Sequence, residues 1–289
     1  MLIGKIDDTT QRISVWRSGP GPPTIDTMIP NQALLIIKLS LVAASMLGAS
    51  LLARRYGHAV SGALAGLPVI VGPIIAILLV DLPAERVRSI ALATLACEPA
   101  MLLHIVVFAH AARHFAWPAC LALALASYLA LAAGLTQIDW GALAATLAAF
   151  TALALALHAL PSGGRLADAP VGIPASELWW RLAAALLIAA TVMWGAGHFP
   201  AAMAGALLAL PIAGSVLPCF TLPRHGPQAT ARLLGGFVRG QSGFIAFFIV
   251  LVALLPLLHK AAAFAGAVAA AIAAPWLLRR SVALRRDRA

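Results

Sequence analysis

Two ionisable side chains stand where an apolar chain should carry none: Glu98 interrupts the run 87–110, and Arg239 interrupts the run 228–256. Each lies eleven positions past the start of its run, Val87 or Gln228, which at the helical rise is roughly 16 Å along the segment. If those segments cross a bilayer whose hydrocarbon core is about 30 Å thick, both charges reach its middle. A charge there costs at least about 2.5–3.5 kcal/mol on insertion scales, so each should face protein or water and hold a partner. A Glu98–Arg239 ion pair is the economical arrangement. Gln241 and Ser242 supply further donors and acceptors around Arg239, and Pro99 frees the Leu95 carbonyl beside Glu98. His104, six positions after Glu98 and about 120° around the same helix, has two readings: a proton relay, or a core histidine satisfied by its neighbours.

These groups suit binding and release rather than covalent chemistry. Arg239 is expected to take an anionic group of a small solute, while Glu98 cycles between paired and protonated states and so releases the solute or couples it to protons. The motifs HExxH, GxSxG and DxxD are absent from the sequence. Cys97, Cys120 and Cys219 sit in apolar runs without paired spacing, which fits neither a disulfide framework nor a zinc site. No catalytic residue, metal or cofactor is expected, and the chain does not read as an enzyme.

The elements that must position this chemistry follow from composition. Of 289 residues, 62% are hydrophobic and 10% charged, with a mean hydropathy of +0.95, whereas an ordinary globular protein is about 25% charged. In lipid every backbone group needs a partner within the chain, so the spanning elements are helices or a closed barrel. The apolar runs are long, continuous and rich in alanine and leucine, which selects an all-α integral membrane protein. Nine transmembrane helices are expected, near 30–53, 58–80, 87–110, 115–135, 139–160, 177–197, 199–220, 228–256 and 260–279. The net charge of +10 does not imply nucleic acid, because no soluble module carries a basic face. Arg279, Arg280, Arg285, Arg286 and Arg288 instead crowd the end of the chain, the pattern of cytoplasmic retention. Alternating backwards puts Arg54, Arg55, Arg113, Arg165 and Arg224 inside as well, consistent with a bacterial inner membrane protein. The expected organisation is a polar extension over 1–27, with Met28 as an alternative start, a first membrane repeat over 28–160, a cytoplasmic linker over 161–176, a second repeat over 177–280 and a basic tail over 281–289.

The repeat shows at an offset of 143: Gly62-Ala-Leu-Ala-Gly-Leu-Pro68-Val in the second span and Gly205-Ala-Leu-Leu-Ala-Leu-Pro211-Ile in the seventh. Five spans separate them, an odd number, so the copies would be inverted, a recurrent construction of secondary transporters. Pro68 and Pro211 each remove a donor and should strand the Leu64 and Leu207 carbonyls at equivalent points, marking a binding site; taken singly, each could be a packing kink. Arg232, Gly236, Arg239 and Gly243 fall on one helical face, which reads as a charged lining or as a small-residue packing seam.

The two motifs, each followed by an arginine-led helix, resemble a family of bacterial inner-membrane proteins built from paired copies of this unit. The architecture also looks like that of bile-acid/sodium symporters, with inverted five-helix repeats, but departs from it in lacking a tenth helix. The resemblance implies a polytopic, duplicated membrane protein; the inverted repeat with Glu98 and Arg239 at mid-depth is what points to a carrier or exporter. Two other functions fit a polytopic chain: a structural or assembly subunit of a membrane complex, and an enzyme acting on lipid. The partners expected are the bilayer and a small solute.

Overall fold

The computed structural model describes residues 36–44, 47, 58–161, 175–195 and 198–286. The readings of residues 1–27, of most of the first span and of most of the 161–176 linker lie outside them. Every regular element among the described residues is an α-helix: α1 (His58–Ala65), α2 (Val71–Asp81), α3 (Ala84–Ala96), α4 (Glu98–Ala111), α5 (Trp117–Leu135), α6 (Ala142–Ala159), α7 (Ala175–Gly195), α8 (Ala201–Ala209), α9 (Ile212–Leu254) and α10 (Lys260–Arg286).

Among the described residues, 6 helical stretches are long and apolar enough to cross a membrane, where nine spans are expected over the whole chain. The difference has local causes. The second expected span is broken into α1 and α2 at Gly66–Ile70, leaving neither half long enough. The seventh and eighth run on as one 54-residue stretch, Ala201–Leu254. The last helix continues to Arg286 instead of ending near 279, so the expected tail is partly helical.

That 54-residue stretch would be about 80 Å long if straight. Yet Arg86 donates to the Phe199 carbonyl before it, and Arg88 Nε donates to the Val252 carbonyl near its end at 3.1 Å. Two arginines on one helical turn reach both ends only if the chain doubles back. The reversal falls at Gly226, φ 76° and ψ 179°, between Pro223 and Pro227. This backbone region is essentially reserved for glycine. Nothing lies within 4 Å of a Cβ built there, so the cost of Gly226→Ala is backbone strain alone. Thermal unfolding in detergent should show a loss of about 1–3 kcal/mol, whereas Gly134→Ala, at an open helical position, should be neutral or stabilising.

The loops sort to two ends. Lys260 Nζ donates to the Leu82 carbonyl at 2.7 Å, joining the Arg86 and Arg88 contacts at one end. At the other, His110 Nε2 lies 2.8 Å from the Ala159 carbonyl. Burial separates the helices in turn: 67% of the apolar window is buried in Ala84–Ala111 and in Ala201–Leu254, against 17–22% in the others. The centre is therefore α3, α4, α8 and α9, with α5, α6, α7 and α10 around it. Among the outer helices, α5 buries Cys120, Ala124 and Tyr128, α6 buries Ala145, Ala149, Leu153 and Ala156, and α10 buries Ala263, Ala267 and Ala271. Their other faces expose large apolar side chains such as Leu129, Leu143, Leu155 and Ile272, a surface suited to lipid.

The offset of 143 extends far beyond the proline motifs. α1 and α8 begin at His58 and Ala201, α4 and α9 end at Ala111 and Leu254, and α5 and α10 begin at Trp117 and Lys260. The buried stripe Cys120, Ala124, Tyr128 maps onto Ala263, Ala267, Ala271. Turn hydrogen bonds recur at the same offset, as in Phe115 N–H to Ala111 O and Leu258 N–H to Leu254 O, both 2.9 Å. Among the described residues α6 has no counterpart in this correspondence.

Candidate functional site

The site begins with what proline does to the two motif helices. At the first break Leu67 N–H donates to the Leu64 carbonyl, Val69 N–H to Leu67 and Gly72 N–H to Pro68, at 3.2, 2.7 and 2.7 Å. At the second, Leu210 donates to Leu207, Ile212 to Leu210 and Ser215 to Pro211, at 3.3, 2.8 and 2.8 Å. All three bonds repeat at the offset of 143. The Leu64 and Leu207 carbonyls are thus not stranded as expected, because a tightened last turn returns an N–H to each. The orphan moves one residue back: with Leu210 N–H turned to Leu207, the Ala206 carbonyl loses its helical donor, and the buried Tyr128 hydroxyl donates to it instead. Tyr128→Phe should leave that carbonyl unsatisfied and cost about 1–3 kcal/mol in thermal unfolding.

The halves interlock at these helices. A Cβ on Gly62 of α1 would fall within 3.0 Å of Leu233 and Phe237 backbone in α9, and one on Gly205 of α8 within 3.0 Å of Ala93 and Thr94 in α3. Each motif helix packs on the helix that follows the other motif. Gly236 and Gly240 complete the α1 seam against the Ala59 and Ala63 carbonyls, and Gly243 meets Ala271 and Leu67. The seam therefore runs through Gly236, Gly240 and Gly243, with Arg239 at its edge instead of within the face.

Between the two breaks lies a cavity of about 40 Å³, room for one or two waters. Its wall pairs equivalent positions: Leu67 with Leu210, Ile70 with Ala213, Met101 with Phe244. Gln241, 1% exposed, also lines it; its Nε2 meets Met101 Sδ, and its Oε1 has no hydrogen-bond partner among the described residues. Glu98 stands one turn before Met101, at the start of α4, and is 0% exposed with neither carboxyl oxygen partnered among the described residues. The repeat relates these two groups directly, since Glu98 plus 143 is Gln241.

The expected Glu98–Arg239 pair does not form. Arg239 is exposed while Glu98 is fully buried. Arg239 and Gln241 are two residues apart on one helix and so point about 200° apart; packing turns Gln241 inward. The Arg239 guanidinium folds back along its own helix, 4.0 Å from the Cβ position of Gly235. Ser242 does not serve that guanidinium either, because its Oγ donates to the Arg239 backbone carbonyl at 2.7 Å. His104 is buried, with Nε2 3.0 Å from Ser215 Oγ and Nδ1 unpartnered among the described residues; no bond links it to Glu98.

Sequence reasoning missed Ser215, Tyr128 and Met101. Ser215 carried a usable signal, a polar side chain one turn after Pro211. Tyr128 and Met101 did not, since both read as ordinary apolar-face residues. Among the described residues no group of three or more His, Cys, Asp or Glu could hold a metal ion, and Cys97, Cys120 and Cys219 are free.

Fold and site together define an all-helical, multi-pass membrane protein whose centre is interrupted at two equivalent prolines. Comparison with known proteins adds no family: no family model, no curated protein and no solved structure matches the chain.

Proposed function

We propose that the chain is a secondary carrier or exporter of a small solute across a bacterial inner membrane, with nine crossings arranged as four, one and four and with the C-terminus in the cytoplasm. In this arrangement α1 with α2, α3 with α4, and α5 form three crossings of the first copy, after one near 30–53. α7, α8 with the first segment of α9, the rest of α9, and α10 form the second copy. α6 is the single crossing between them, and its presence makes the second copy run in the opposite sense. The matched helix ends, the matched break geometry and the reversal at Gly226 support this reading.

The observation that carries the carrier function is the cavity between the two breaks, with the buried Glu98, whose carboxyl has no partner among the described residues, one turn from its wall. Interrupted helices at corresponding points of two halves are the usual frame of a transport site, and an intramembrane carboxyl is a coupling group by default. At about 40 Å³ the cavity is too small for a metabolite, so in this reading the helices around it part to admit the solute. Arg239 is not part of this centre. Purified protein reconstituted in proteoliposomes should move protons, read by an entrapped pH dye, when solutes chosen by thermal-shift screening are added outside. Proton movement that no solute alters, or that is the same with and without the protein, removes the proposal.

A further inference from the structure

A second cavity, about 210 Å³, lies where α3 and α8 meet the loop after α5. Ser89, Ala93 and Cys97 line it along one face of α3, with Thr136 and Asp139 from the loop and Ala202 from α8. Two steps of four residues carry it about 12 Å along that helix, from the exposed Asp139 at its mouth to Cys97, which is 1% exposed. Its volume holds several waters. Glu98 is the next residue after Cys97, and Met101, one turn further, is in the wall of the central 40 Å³ cavity. Glu98 thus stands in the partition between the two spaces. That partition is a helix break: α3 ends at Ala96, α4 begins at Glu98, and Pro99 has no N–H to return to the Leu95 carbonyl. Towards the Gly226 end, α4 instead runs on for about three turns that bury Leu102, Ile105 and Phe108, with His104 bonded to Ser215.

Resting on the carrier reading, we propose that this cavity is the proton route of the carrier: Glu98 takes up and releases its proton through it, to water at the Lys260 end, which is the periplasmic side if the C-terminus is cytoplasmic. The charges around it suit that task. Asp139 is the charged side chain that lines the cavity among the described residues, and a fixed negative charge at a low-dielectric mouth concentrates protons. The cations of this end are engaged elsewhere: Arg86 donates to the Phe199 carbonyl, Arg88 to Glu85 and the Val252 carbonyl, and Lys260 to the Leu82 carbonyl. Around Glu98 itself, the titratable groups within electrostatic reach are Cys97 and, from α5, Tyr128. α9 presents the uncharged Gln241 to Met101, and the buried residues of α6 and α8 are alanine, glycine and leucine. The proton and the solute therefore travel by separate paths, and the breaks need not open to the Lys260 end for Glu98 to exchange its proton.

The test reads the protonation of Glu98 in full-length protein reconstituted in one orientation, with the pH set separately on the two sides. Dicyclohexylcarbodiimide enters through lipid and adds to a protonated carboxyl; mass spectrometry of the peptide bearing Glu98 gives the labelling rate, and Glu98→Gln is the blank. Across about pH 5–10, acidifying the Lys260 side should speed labelling by up to about tenfold per pH unit, and the same change on the Gly226 side should leave it unaltered. A second measurement plugs the cavity. Thr136→Cys is treated from the Lys260 side with an impermeant methanethiosulfonate bearing a trimethylammonium group, which leaves a bulky cation there. Solute-driven proton movement should fall at least about tenfold, relative to the parent treated alike, which controls for Cys97, Cys120 and Cys219. If Thr136→Cys does not fold, Ala202→Cys takes its place. Labelling that follows the Gly226-side pH, both sides or neither overturns this inference, as does proton movement that survives the plug, and either leaves the carrier standing. Labelling that follows the Lys260 side, without solute-driven proton movement in the untreated protein, keeps the proton route and removes the carrier.

Discussion

Gly240→Ala should abolish the folded protein, or lower its stability by about 3 kcal/mol or more, well above the usual 1–3 kcal/mol of overpacking. The added methyl would lie within 3.0 Å of the Ala63 carbonyl and close to Gly66 Cα. Both obstacles are backbone atoms, so no rotamer change relieves the clash and α1 must leave α9. Gly62→Ala should behave alike, because its obstacle is the Leu233 carbonyl. Gly72→Ala, with nothing within 4 Å, is the matched control. The measurement is the yield of monodisperse protein in detergent together with its thermal unfolding midpoint. A Gly240→Ala variant as stable as the control would mean that the α1–α9 seam is looser than described.

The second large effect separates activity from stability. Glu98→Gln should lose at least about a hundredfold of solute-coupled proton movement, since the amide cannot take up or release a proton at the centre. The same variant should be more heat-stable than the parent. A buried carboxylate without a partner costs several kcal/mol, and the amide has the same shape without the charge. Loss of activity with gained stability is the signature of a functional group kept at a structural cost. Reduced stability with retained transport would mean that Glu98 is a structural residue.

The breaks at Pro68 and Pro211 were legible in the sequence because proline acts locally: the missing donor and the ring clash disrupt the helix wherever the residue sits. Facing direction is a different kind of property. Arg239 and Gln241 share a turn, and nothing within that helix says which one meets the neighbours; the α1 seam decides it. Searching for opposite charges also gave Glu98 a partner that it does not meet. The repeat index makes it the equivalent of Gln241, a carboxyl in one copy where the other has a carboxamide, and a search for complementary charge passes over that equivalence. The full extent of the repeat was hidden as well. In helices made of alanine and leucine, residue identity carries little information, and the match between α5 and α10 emerges only from where they begin and which residues they bury.

The outer helices meet the centre mostly through alanines, Ala145, Ala149 and Ala156 in α6 and Ala263, Ala267 and Ala271 in α10, with one larger knob in each: Leu153 in α6, and Phe264 in α10, whose ring meets Phe247 edge-on at 5.9 Å. Rails made of single methyl groups let two backbones lie close, and the lone knob limits how far one element can slide along the other. On α5 the stop is Tyr128, whose hydroxyl clips the helix to α8. Each of these three helices is thus smooth along most of its inner face and held in register by one large side chain.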